Sequence, residues 1–112
     1  MSKVSVIIPV KNGARYLREA LDSVMAQTFR DFEVVVVDDA STDGTAAIAR
    51  SYPSVRYIYR ARSEGVSKAR NAAIRAAEGQ YLASLDCDDL WYTDKLALQV
   101  PILDRDSLTG VV

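Results

Sequence analysis

The sequence predicts an α/β fold built on a parallel sheet. Short, continuous runs of Val and Ile alternate with segments whose apolar residues recur at helical spacing. Strand–helix–strand succession makes right-handed β-α-β units, which lay their strands parallel in one sheet. With 112 residues, the chain has room for one domain.

Val4 to Val10 forms the first strand. Its apolar residues are continuous rather than alternating, as suits a strand covered on both faces, and Pro9 closes it because proline cannot donate to a ladder. Asn12-Gly13 marks a turn. A helix follows from about Ala14 to Ala26, with Leu17, Leu21 and Val24 on one stripe. Phe32 to Val37 is the second strand and ends abruptly in Asp38-Asp39. Ser41-Thr42-Asp43 is helix-start chemistry for a helix reaching about Ser51, and Pro53 stops it. Val55 to Tyr59 is the third strand. Gly65 opens a helix with the stripe Val66, Ala69, Ala73 and Ala76, and Gly79 is expected to close it in the left-handed conformation. Tyr81 to Leu85 is the fourth strand and runs into Asp86-Cys87-Asp88-Asp89. The last helix begins near Thr93 with Leu96, Val100 and Leu103 inward, and Pro101 should kink or end it. Gly110-Val111-Val112 reads as the first residues of another strand, so the chain is expected to be part of a larger domain, with a sheet edge on which a second copy could pair as a homodimer.

Composition removes several classes of function. The formal net charge of −1 offers no surface for a polyanion, so nucleic acid is not an expected partner. With no His, a His-based triad and a His metal site are excluded. Cys87 is the one cysteine, which excludes an internal disulfide and a thiolate zinc cage. Between two acids its thiol should have a raised pKa, so it is read as a small spacer rather than a nucleophile. Met1-Ser2-Lys3 leads directly into a strand and is too short for a signal peptide. A cytoplasmic location is therefore expected, and membrane association of a full-length protein is left open.

In open α/β sheets, ligands bind beyond the carboxyl ends of the strands. Two acidic clusters stand at such ends, Asp38-Asp39 and Asp86-Cys87-Asp88-Asp89. If strands two and four flank strand one, both clusters face one crevice. Gathering carboxylates costs free energy through like-charge repulsion. A divalent cation relieves it, and hard oxygen ligands suit Mg²⁺ or Mn²⁺. The plainer alternative is that these acids cap turns and helices, as Asp after a strand often does. Trp91 and Tyr92 could flank a sugar, though aromatics there more often pack. Arg60, Arg62 and Lys68 could meet phosphates, though such charges more often solvate a loop. Lys68 and Arg70 carry more weight because they lie near a helix start, which favours an anion.

Taken together, Val4-Ser5-Val6-Ile7-Ile8-Pro9-Val10-Lys11-Asn12, Val36-Val37-Asp38-Asp39-Ala40-Ser41-Thr42-Asp43-Gly44-Thr45, Gly65-Val66-Ser67-Lys68-Ala69-Arg70-Asn71 and Leu85-Asp86-Cys87-Asp88-Asp89 resemble the family 2 glycosyltransferases of GT-A fold. The likeness spans essentially the whole chain and covers the N-terminal, donor-binding part of such enzymes. It implies a Rossmann-like three-layer α/β/α fold with strand order 3-2-1-4. It also implies a nucleoside-diphosphate sugar donor, most often UDP-linked, and a saccharide or lipid-linked acceptor. By that match Pro9 and Val10 line the base pocket and Asp39 bonds the base. Asp86 approaches the ribose, Asp88 a Mn²⁺ or Mg²⁺ ion with Asp89 as a second acid on the metal side, and Arg70 approaches the donor. Transfer inverts the anomeric centre. The catalytic base would lie beyond Val112, so no residue here takes that role and the stretch alone should be inactive. Lys11 stands where an aromatic is frequent, and Ala40 and Ala73 where Gly is frequent. Ala40 asks most of the backbone if that position is left-handed.

Three other classes compete. A phospho-receiver needs its acidic pair after strand one, where this chain has Pro9-Val10-Lys11. A dinucleotide-dependent oxidoreductase needs G-x-G-x-x-G after strand one, which is missing. A catalytically silent nucleotide-binding module fits the same residues and is separated from a transferase by assay.

Overall fold

The structure, a computed structural model, describes residues 2–106. Four strands, β1 (Val4–Val10), β2 (Phe32–Asp39), β3 (Val55–Arg60) and β4 (Tyr81–Ser84), alternate with four helices, α1 (Leu17–Met25), α2 (Thr45–Arg50), α3 (Val66–Ala76) and α4 (Lys95–Asp106). The sheet is parallel throughout, ordered β3-β2-β1-β4, as the family resemblance implies. The expected strand at 110–112 lies outside the described residues. Among the described residues no helix is long and apolar enough to cross a membrane.

Strand parity divides the core. Val4, Val6, Ile8 and Val10 of β1, with Val34 and Val36 of β2, face Leu17, Leu21 and Val24 of α1, Ala49 of α2, and Leu96 and Val100 of α4. Ile7, Val35 and Val37 face Ala69 and Ala73 of α3 on the other side. Each fully buried aliphatic side chain of the α1 stripe contributes about 1.5–3 kcal/mol through removal from water. Ala69 and Ala73 are small enough to bring α3 close to the sheet.

Pro9 is tolerated in the central strand for a geometric reason. Lys3 and Ile7 turn their carbonyls toward β4, accepting from Tyr81 and Leu85 at 3.0 Å each. By the two-residue period Pro9 faces the same side. β4, however, ends at Ser84, opposite Ile7, so the missing N–H of Pro9 points past the end of its neighbour, where the ladder asks for no donor.

Several boundaries and roles differ from expectation. β2 includes Asp38 and Asp39, because each acid finds partners while still in the sheet. α1 starts at Leu17, since Gly13 O accepts from Tyr16 N and Leu17 N in a preceding turn. α2 starts at Thr45, whose amide donates to Asp43 Oδ1 at 3.0 Å. Val66 is 56 % exposed rather than part of the α3 stripe, because it heads the helix at the rim of a groove. Gly79 is not left-handed, Gly65 being the glycine with positive φ. Gly79 is instead pressed onto β1, where an added Cβ would lie 2.7 Å from Ser5 N and 2.8 Å from Val4 C. Pro101 does not end α4, which continues to Asp106. Its ring lies on the exposed side, where water can serve the carbonyl of Ala97, while buried Leu96 and Val100 hold the helix down. Ala40 does take a positive φ of 61°, the conformation that the frequent Gly would adopt more cheaply.

Candidate functional site

The site begins at the tip of β2. Asp38 is buried and faces the α1 side, accepting from Ser41 N at 2.9 Å and Tyr57 OH at 2.5 Å. Burial, followed by the bond to Asp38, pushes the Tyr57 hydroxyl well above its ordinary pKa. Asp39 is 2 % exposed and points the other way, onto the loop between β3 and α3. Its Oδ1 accepts from Glu64 N at 3.1 Å, and its Oδ2 from Ser63 Oγ and Gly65 N at 3.0 Å each. Burial alone would raise the Asp39 carboxyl. The Glu64 amide, the Ser63 hydroxyl, the Gly65 amide and the nearby Arg60 charge outweigh it and hold the group below the usual carboxylate range. Gly65 has φ 98° and ψ 163°, a conformation essentially reserved for glycine, and the chain turns there into α3.

The second tip is the loop after β4. Asp89 N donates to Asp86 O at 3.0 Å, closing a turn that brings Asp86, Asp88 and Asp89 together. One carboxylate oxygen from each lies within 4.8 Å of the others, and all three residues are exposed. The donor set is all hard oxygen, sized for one divalent cation, and its exposure leaves room for phosphate oxygens to complete the shell, so these residues fit Mn²⁺ or Mg²⁺. Arg70, from the first turn and a half of α3, pairs with Asp86 at 3.4 Å. Cys87 turns inward against the core, and burial followed by the charges of Asp88 and Asp86 pushes its thiol up, as expected of a spacer.

Because β2 and β4 flank β1, the two tips meet. Pro9, Val10, Asp39, Arg70, Asp86 and Asp88 line one open groove of about 660 Å³. Asp89 stands on its far rim, in an adjoining groove of about 640 Å³ that shares Arg70 and Asp86. Pro9, Val10, Asp39, Arg70, Asp86, Asp88 and Asp89, the residues that the family resemblance assigned to donor and cation, thus line these two adjoining grooves. Trp91 packs against the core under Lys95, whereas Tyr92 is 88 % exposed. Lys68 pairs with Glu64 rather than lining the groove, and Arg60 also pairs with Glu64, behind Asp39.

Three supports were missed from the sequence. Asn12, at φ 51°, donates its amide to Ser41 Oγ at 2.7 Å and accepts from Thr42 N at 2.8 Å. Gly13 N donates to Thr45 Oγ1 at 3.1 Å, so the β1 tip is stitched to the β2 tip. Gln27, 1 % exposed, donates to Tyr92 O at 2.6 Å and accepts from Leu96 N at 3.1 Å, setting the start of α4 and the loop before it. Its position three residues beyond Val24, on the α1 stripe, was the available signal. Lys11 Nζ reaches Ser63 Oγ at 2.7 Å across the groove.

The glycosyl transferase family 2 model matches residues 5–112. An uncharacterized glycosyltransferase of Rickettsia typhi is 45% identical over 103 residues, which are 91% of this chain and 32% of that protein. The crystal structure of S. aureus TarS 1-349 in complex with UDP superposes with a TM-score of 0.88 at 36% identity, over 92% of this chain and 32% of TarS 1-349. A mannosyltransferase from Pyrobaculum calidifontis, in complex with GDP-Man and Mn²⁺, superposes with a TM-score of 0.84 at 36% identity, over 90% of this chain and 32% of that one. The chain therefore spans about a third of the length of these relatives, and it belongs to glycosyltransferase family 2.

Proposed function

We propose that these residues hold the donor in an inverting transfer of sugar from a nucleoside diphosphate, a UDP-sugar, to an acceptor hydroxyl. The observation that carries the reading is the meeting of Asp39 with Asp86 and Asp88 in one groove from two strand tips. Pro9 and Val10 form the apolar wall for the base, and Asp39 accepts from it. Asp86 takes a ribose hydroxyl, and Arg70, at the head of α3, faces the diphosphate where a helix start favours an anion. Asp88, with Asp89 beside it, would hold the divalent cation, which would supply charge neutralisation to the departing diphosphate. The new bond forms between the acceptor oxygen and the anomeric carbon as the carbon–diphosphate bond breaks. The carboxylate that removes the acceptor proton is assigned to chain beyond Val112, so the 112 residues bind donor without turning it over. Support comes from relatives about three times as long and from structures of the same fold holding UDP in TarS and GDP-Man with Mn²⁺ in the Pyrobaculum enzyme.

Calorimetric titration with UDP tests this. Binding is expected in Mn²⁺ and at least about tenfold weaker in chelator, the worth of one good charge-assisted contact. No binding under either condition would remove the donor pocket, and metal-independent binding would remove the cation site. Sugar transfer by the 112-residue chain alone would overturn the placement of the base.

A further inference from the structure

Asp39 enters the groove with most of its acceptor capacity already used. A carboxylate oxygen has two acceptor positions. Oδ2 receives Ser63 Oγ and Gly65 N, so it is filled, whereas Oδ1 receives Glu64 N alone and keeps one position open. The Ser63 bond cannot reverse. Lys11 Nζ lies 2.7 Å from Ser63 Oγ, and an ammonium only donates, so the hydroxyl accepts from Lys11 and spends its single hydrogen on Asp39.

Nucleobases differ in how many donors they offer a carboxylate. Uracil and thymine present one N–H, at N3, between two carbonyls. Guanine presents two parallel N–H groups, from N1 and the 2-amino group, and engages both oxygens. Cytosine and adenine present a ring acceptor there, which a carboxylate repels. Building on the donor-site reading above, we propose that Ser63, held in place by Lys11, is the specificity-determining residue that makes this pocket select an imide base, uracil or thymine, and reject guanine. One open position on Oδ1 accepts N3–H. The filled Oδ2 denies guanine its second bond, leaving an amino group desolvated and unpaired. The remaining protons of the Lys11 ammonium stand on the groove wall, available to a carbonyl beside N3.

The test is calorimetric titration of UDP and of GDP, in Mn²⁺, into the 112-residue chain and its Ser63→Ala, Ser63→Thr and Lys11→Met variants. Wild type is expected to bind UDP more tightly than GDP. Ser63→Ala should lower the ratio Kd(GDP)/Kd(UDP) about tenfold, the effect of one hydrogen bond to a charged acceptor. Ser63→Thr keeps the hydroxyl and should keep the ratio. Lys11→Met should shift it in the same direction as Ser63→Ala. An unchanged ratio in Ser63→Ala, or wild type favouring GDP, overturns the selectivity mechanism while leaving the donor site standing. Wild type binding neither nucleotide overturns both, and so identifies the underlying reading as the failure. Ser63 is exposed, and matching melting temperatures confirm that the variants are folded.

Discussion

Replacing Asp88 by Asn should make the metal-free protein more stable and the metal-bound protein less so. Oxygens of Asp86, Asp88 and Asp89 lie within 4.8 Å of one another at the surface. Two unit charges at that separation repel by about 0.9 kcal/mol in the dielectric of water, and physiological salt roughly halves this. Asp88→Asn removes two of the three pairs, a gain of about 1 kcal/mol, which for a domain of this size raises the melting temperature by roughly 4 °C. The same change removes a carboxylate from the cation set, so the stabilisation that Mn²⁺ and UDP give by binding the folded state shrinks. Thermal melts of both proteins in chelator and in millimolar Mn²⁺ with UDP should therefore change rank. At 1 M salt, where the screening length is about 3 Å, the chelator difference should nearly vanish. A variant that melts below wild type in chelator, or that keeps the full upshift with Mn²⁺, would show that these acids do not share a cation site.

Gly79→Ala should cost about 2–3 kcal/mol in urea denaturation, because the new methyl meets backbone of β1 and the 2.7 Å bond from Gly79 N to Ser5 Oγ is lost; a loss under about 0.5 kcal/mol would show that the Gly79–β1 contact yields easily. Glu33 carries an acid-sensitive share of stability. Burial would raise its carboxyl, but the Ser5 hydroxyl, the Glu78 amide and the Arg56 guanidinium lower it below the usual range. A depressed carboxylate stabilises above its unfolded pKa, about 4.3, and that contribution disappears as pH falls through the lower folded value. The urea midpoint should fall below about pH 4.5, and Glu33→Gln should be less stable than wild type at pH 7 yet converge with it as pH falls through the lowered pKa of the folded carboxyl. Parallel curves across the range would refute this.

Much of the molecule was legible because it obeys short-range periodicities. β1, the α1 stripe and the small-residue face of α3 follow directly from runs and spacings, and the two acidic tips follow from where those runs stop. The remainder depends on bonds between residues far apart in sequence. Asn12 is stitched to Thr42, Gly13 to Thr45, and Ser63 to Asp39, at separations of 30, 32 and 24 residues. No local pattern pairs such residues. Gly79 was misread for a related reason: its glycine answers a β1 backbone 74 residues earlier rather than the helix it follows. Pro101 leaves α4 unbroken to Asp106 because the bond it removes lies on the exposed side, where water can supply it.

Asp38-Asp39 shows how one sequence feature divides into structure and function. Adjacent residues of a strand point to opposite faces, so two identical acids at one tip cannot share a role. The even-numbered face of β2, with Val34 and Val36, packs on the α1 side, and Asp38 continues it toward Ser41 and Tyr57. The odd-numbered face, with Val35 and Val37, packs on α3, and Asp39 continues it to the start of that helix. A one-residue slip of β2 would exchange the two acids and expose the valines that precede them to the wrong helices. The register that buries four valines therefore also decides which acid holds the loop after β2 and which one reaches the groove. The acid that enters the groove is in this sense specified by the core rather than by its own neighbours.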